Sequence, residues 1–255
     1  MSIRFDGRVA IVTGAGVGLG RSHALGLAAR GAKVVVNDLG VATDGSGSST
    51  AAADAVVAEI VAAGGEAMAH GANVTDPDAV QDMVDQAIAR WGKVDILVCN
   101  AGILRDKTFA KMTLEDFARV VEVHLMGSVV PTKALWDHFR SNAYGRIVYT
   151  TSASGLYGNF GQSNYGAAKA AMMGLMNVLA QEGEKYDIRA NLLAPTAATR
   201  MTLTGAELSP EGVMAAMGRI RDPEGAEVMP GAFAQTRKYA AMAAEALGLA
   251  LPDAR

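Results

Sequence analysis

Residues 9–20, VAIVTGAGVGLG, decide the fold. Val9, Ala10, Ile11 and Val12 read as a short buried strand, and the chain then runs straight into Gly14, Gly18 and Gly20 and on into a helix beginning near Arg21. Glycines in a strand-to-helix turn let the backbone bend tightly and leave the amides at the positive end of the helix open to a pyrophosphate. A glycine triplet alone marks many tight turns. The strand before it and the helix after it make this one a dinucleotide-binding turn.

Working outward, the next apolar run is 33–37, KVVVN, followed by Asp38, about twenty residues beyond the glycines. A carboxylate at that place accepts both hydroxyls of an adenosine ribose and repels a 2′-phosphate. No Arg or Lys directly follows Asp38 to offset that repulsion, so NAD is the expected cofactor. The alternative reading of Asp38 is an ordinary turn carboxylate.

Further apolar runs at 94–99, 146–150 and 188–193, and a weaker one at 66–69, alternate with longer helical stretches. Runs apolar on successive residues fit strands covered on both faces, joined by right-handed crossovers. The expected fold is therefore α/β, a single Rossmann-type doubly wound parallel sheet with helices on both faces. Residues 40–50, rich in Gly, Ser and Asp, read as a solvated linker, with a flap beside the adenosine half of a dinucleotide as the alternative.

Composition sets the outer bounds. In 255 residues, half are hydrophobic and only 5% aromatic, which suits aliphatic helices over a parallel sheet. A formal charge of -3 argues against nucleic-acid binding by phosphate neutralisation and leaves small molecules as the expected partners. Cys99, the single cysteine, excludes an intrachain disulfide and a thiolate metal cluster, and a reducing cytoplasm is the expected setting. The charged start of the chain does not read as a signal peptide, and no long apolar run predicts a membrane span. His23, His70 and His138 lack metal-ligand spacing, so no metal site is expected.

The reacting groups are read from SNYGAAKAAMMGL. Tyr165 and Lys169 lie four apart, on one helix face. A neighbouring ammonium and a nicotinamide cation are expected to favour the phenolate and make Tyr165 a usable base. Ser152, just past the strand at 146–150, can hydrogen-bond a reacting oxygen as charge develops on it. Taken alone, the cluster Thr150, Thr151, Ser152 and Ser154 also reads as a strand-end cap.

These motifs together resemble the short-chain dehydrogenase/reductase family over residues 4–202. The match comprises 13–20 at the cofactor turn, Asn100-Ala101-Gly102 as the central sheet-stabilising motif, Ser152, Tyr165 and Lys169, and 191–195 before the nicotinamide. VVVNDLG, NAGILRD, WDH, YGNFGQ and APTAATRMT make the chain most similar to the hydroxyacyl-CoA dehydrogenase domain of peroxisomal multifunctional β-oxidation enzymes. The resemblance implies NAD-dependent interconversion of a (3R)-hydroxyacyl-CoA and its 3-ketoacyl-CoA, in a homodimer or higher oligomer. It also implies cofactor contacts from Gly14, Gly18, Leu19, Gly20, Asp38, Asn73, Val74, Asn100, Ala101, Gly102, Tyr165, Lys169 and Pro195. Lys169 is implied to hold the nicotinamide ribose. The alternatives are a hydroxysteroid or other bulky alcohol as substrate, and a catalytically weak NAD-binding scaffold or sensor.

Departures from the family pattern carry their own expectations. His124 stands where many members have an Asn that helps build a proton relay, and it reads as structural, with an altered relay role as the alternative. Pro195-Thr196 replaces the usual Pro-Gly. After Thr202 no final strand is legible; residues 203–255 read as an atypical helical tail on a 1–202 catalytic domain, as though a segment between Thr202 and Leu203 had been deleted. Arg105, Lys107 and Lys111 read as a solvated charged loop, with CoA phosphates as the alternative partners, and Met172, Met173 and Met176 as helix packing.

Overall fold

The computed structural model describes residues 3–195 apart from 41, 43, 46 and 48. The expected 1–202 boundary, the helical tail, the missing final strand and Thr196 lie outside the described residues. Six strands form one parallel sheet: β1 (Val9–Thr13), β2 (Lys33–Asn37), β3 (Ala67–His70), β4 (Ile96–Cys99), β5 (Gly145–Thr150) and β6 (Ile188–Leu193), in the order β3-β2-β1-β4-β5-β6. From β1 the chain builds outward first to one side and then to the other. The direction reverses between β1 and β4, and a crevice opens there at the carboxyl ends of the strands.

The continuous apolar runs are explained by burial on both faces. Val9, Ile11, Val35, Leu97, Ile147 and Tyr149 point to a core closed by α3 (Pro77–Trp91), α5 (Gly127–Ser141) and α7 (Ser163–Gly183). Ala10, Val12, Val34, Val36, Ile96 and Val98 point to a second core under α1 (Gly18–Ala28) and α2 (Ala51–Ala62). Met172 is buried in the first core and Met176 packs against it, as expected of packing residues, whereas Met173 faces outward.

Local signals place the helices. Asp76 accepts hydrogen bonds from Asp78 N and Ala79 N, Pro77 opens α3 without needing a partner for its nitrogen, and Gly92, at φ 81°, ends it. Thr113 Oγ1 accepts from Asp116 N and starts α4 (Leu114–Val121). Between α4 and α5 the residues Glu122–Met126 form one wide turn with the longer hydrogen-bond spacing of a π-helix. A short α6 (Ala153–Tyr157) precedes α7.

Two expectations are adjusted. Helix α1 begins at Gly18 rather than near Arg21, because the last two glycines of the motif belong to its first turn. Strand β4 begins at Ile96 rather than Val94, although Asp95 still donates its amide to Val9 O and accepts from Arg146 N.

Candidate active site

A cavity of about 240 Å³ occupies the crevice. It is lined by Gly14, Gly18 and Leu19 after β1, Asp38 after β2, Asn73 and Val74 after β3, and Asn100, Ala101 and Gly102 after β4. These are nine of the expected cofactor residues, drawn together from four separate strand ends. Gly20 lies beneath the turn instead: a Cβ there would fall 2.1 Å from Gly14 O and 2.5 Å from Asn100 Nδ2, so only glycine lets the helix approach the strand this closely. Pro195 follows β6 but is not among the lining residues.

Asn100 holds the crevice open. Its Nδ2 donates to Thr13 O and Gly14 O, both at 3.0 Å, and its amide and that of Ala101 donate to Thr13 Oγ1 at 3.0 and 3.1 Å. Where β1 and β4 diverge, ladder hydrogen bonds end, and these side-chain bonds satisfy the groups left over. Asn37, which the sequence reading passed over, does the same at the other edge, donating from Nδ2 to His70 O and Ala72 O. A polar residue closing the run KVVVN was the signal for it.

Asp38 is fixed by two backbone amides, Gly16 N on Oδ2 and Gly40 N on Oδ1, each at 2.7 Å. Each oxygen keeps a lone pair for a further donor. Arg119 also lines the cavity, with its guanidinium on Glu122 Oε2 at 2.8 Å. Of the segment 40–50, Ala42 and Gly45 line the cavity, and Asp44 O accepts from Arg105 Nε at 3.1 Å. Ala42 and Gly45 thus border the cavity, which favours the flap alternative over a free linker. The segment's folding back onto Arg105 and Ile103 had no local sequence signal.

The chemical groups gather beside the cavity, where β5 and α7 meet. Ser152 caps α6, its Oγ accepting from Ser154 N at 3.2 Å. Lys169 is buried; its Nζ donates to Thr150 O at 2.6 Å and lies 5.5 Å from the centre of the Tyr165 ring. Burial pushes the Lys169 ammonium down from 10.5 to about 7. Burial also pushes the Tyr165 phenol above its ordinary value, offset in part by a hydrogen bond with Ser152. Desolvation is the largest influence on the phenol in the cofactor-free chain, whereas the expected phenolate rests on the lysine together with a nicotinamide cation.

His124 sits in the wide turn, buried, with its ring perpendicular to that of Tyr165 at 5.1 Å between centres. Burial, and then the nearby Lys169 charge, holds it well below the ordinary histidine value, so it is neutral. Arg105 and Lys107 both pair with Asp116, at 3.1 and 2.7 Å. That pairing is the solvated-loop reading of this segment and leaves the CoA-phosphate alternative without support from these two side chains.

The family model described as short chain dehydrogenase matches residues 8–209, and this chain belongs to that family. It is a dehydrogenase acting on CH–OH groups, of a family that uses NAD(P). The cradle fits such a dinucleotide: a glycine turn too tight for a side chain, a helix N-terminus above it, and a crevice at the strand reversal with the Asp38 carboxylate at its wall.

Among its relatives, the peroxisomal multifunctional enzyme type 2 of Mus musculus is 52% identical over 79% of this chain, but the aligned part is 27% of that much longer protein. A hydroxyacyl-CoA dehydrogenase of Mycobacterium tuberculosis is 37% identical, over 88% of this chain and 75% of its own length. Among solved structures, a 7α-hydroxysteroid dehydrogenase complexed with NADH and 7-oxo glycochenodeoxycholic acid superposes with a TM-score of 0.72. It is 34% identical and covers 82% of this chain and 77% of its own. No helix among the described residues is long and apolar enough to cross a membrane.

Proposed function

We propose that this chain is an NAD-dependent dehydrogenase interconverting a (3R)-hydroxyacyl-CoA and its 3-ketoacyl-CoA, with Ser152, Tyr165 and Lys169 as catalytic residues. The observation that carries the chemistry is the placing of the Tyr165 ring against Ile103 and Val123 of the cavity wall, with the buried Lys169 amine 5.5 Å from its centre. The thioester is supported by similarity to the hydroxyacyl-CoA dehydrogenases, and a cytoplasmic homodimer belongs to the same reading.

When bound, NAD supplies the hydride acceptor and a positive charge beside the reacting carbon. Gly14, Gly18 and Leu19 receive the pyrophosphate, Asp38 the adenosine ribose, and Lys169 the nicotinamide ribose. Ser152 Oγ orients the substrate oxygen. Tyr165 Oη exchanges a proton with that oxygen, and the added positive charge offsets the burial that keeps the phenol protonated in the empty site.

Purified protein is to be mixed with NAD and a (3R)-hydroxyacyl-CoA, alongside the (3S) epimer, NADP and a hydroxysteroid, and NADH formation followed. A signal confined to the (3R) thioester with NAD is expected. A signal with the hydroxysteroid alone would transfer the reading to a bulky ring alcohol, the substrate class suggested by the bile-acid complex of the solved relative. Bound NAD with no reduction by any alcohol would leave the scaffold reading.

Asp38 sets the cofactor preference in this account. Asp38→Ser is expected to lower kcat/KM for NAD about tenfold and to raise that for NADP, by removing a carboxylate that pairs with one ribose and repels the other's phosphate. An unchanged ratio of the two would remove Asp38 from the ribose site.

A further inference from the structure

His124 touches both halves of the site. Its Nε2 lies 2.8 Å from the Ile103 carbonyl oxygen and 3.2 Å from the Ile103 amide nitrogen. The Ile103 amide N–H is also directed at Nε2, at 3.2 Å, but the carbonyl contact is the shorter, and an unprotonated nitrogen there would set two lone pairs against each other; we therefore assign the Nε2–H form, donating to Ile103 O. Nδ1 is then a bare buried acceptor without a partner among the described residues. The ring edge also rests under Gly102, where a Cβ would fall 2.2 Å from Cε1. Gly102 and Ile103 line the cavity, while the other side of the same ring meets Tyr165.

The wide turn at Glu122–Met126 holds this ring in place. Ser128 Oγ donates to His124 O at 2.8 Å, Thr132 Oγ1 donates to Ser128 O at 2.7 Å, and Thr132 meets the Tyr149 hydroxyl at 2.9 Å. A chain of buried hydrogen bonds therefore fixes the turn from below. The same geometry disfavours proton relay through the ring. A proton arriving at Nδ1 would have to leave from Nε2 into a backbone carbonyl, which cannot pass it on.

We propose that His124 is a positioning residue with two separable tasks: its Nε2–H sets the Gly102–Ile103 backbone at the cofactor cavity, and its ring holds Tyr165 in register with Ser152. This rests on the reading of the cavity as the NAD site and of Tyr165 as the catalytic tyrosine.

Two variants divide the tasks. His124→Phe keeps a ring against Tyr165 and removes the donor; His124→Gln keeps a donor of similar reach and removes the ring. Leaving the Ile103 carbonyl unpaired is expected to raise the Kd for NAD about tenfold in His124→Phe and to speed hydrogen exchange of the amides at 103–105 by a similar factor. Its kcat at saturating NAD stays within about threefold of wild type. In His124→Gln the Kd and the exchange stay near wild type, and kcat falls about tenfold.

Parallel losses in both readouts for both variants, or wild-type exchange and Kd in His124→Phe, would overturn the proposal. The exchange comparison is made on cofactor-free protein. If wild type failed to bind NAD, the functional reading would fall, while exchange at 103–105 would still decide whether the histidine sets that loop.

Discussion

Tyr165→Phe is expected to lower turnover about a thousandfold while leaving the Kd for NAD within about threefold of wild type. The phenylalanine ring fills the same space against His124, so the fold and the cofactor loop are left in place. What is lost is the Tyr165 hydroxyl, which in this account exchanges a proton with the substrate oxygen. Paired measurements of steady-state rate and NADH-fluorescence titration check this. Near wild-type turnover would remove Tyr165 from the chemistry, and joint loss of turnover and binding would point to a structural role.

Lys169→Met is expected to abolish measurable turnover and, in the cofactor-free protein, to raise stability near neutral pH. The folded chain holds the Lys169 ammonium at about 7 against an ordinary 10.5. Between those values the unfolded chain binds a proton that the folded chain has lost, so the stability of the wild type rises with pH across the window. Below about pH 7 the whole cost of burying the charge is borne. Methionine removes that cost but leaves the Thr150 carbonyl without its donor. The net gain should be on the order of 2 kcal/mol, or about 5 °C in Tm, at pH 6 to 7. It should shrink toward zero or below as the pH nears 10. A difference in Tm that does not change with pH would show that the buried amine is not what the fold pays to keep.

Much of this molecule was legible because the physics was local. VAIVT, KVVVN and ILVC are apolar on successive residues only because each strand is covered on both faces, and that pattern survives in a single sequence. The glycine turn and the four-residue step from Tyr165 to Lys169 are likewise local; the turn lines the crevice, and Tyr165 packs against Ile103 and Val123 of its wall. The helix cap at Asp76-Pro77 is local as well.

What was missed depends on groups far apart in sequence. The upward shift of Tyr165 follows from burial beneath neighbouring elements, which spacing on a helix does not encode. The contribution of Ala42, Gly45, Ile103, Arg119 and Val123 to the cavity comes from segments that meet only after the sheet has formed. His124 was visible as an unusual residue, but its inward aim depends on the wide turn and the bonds beneath it. Residues 203–255 lie outside the described residues.

The measurement closest to the central claim is a single turnover with enzyme in excess, using NAD and a (3R)-hydroxyacyl-CoA carrying deuterium on the hydroxyl-bearing carbon. The account predicts NADH absorbance that develops severalfold more slowly than with the protonated substrate, with the deuterium recovered in the reduced nicotinamide ring. NAD bound to folded protein, with no NADH formed from this thioester, would contradict it.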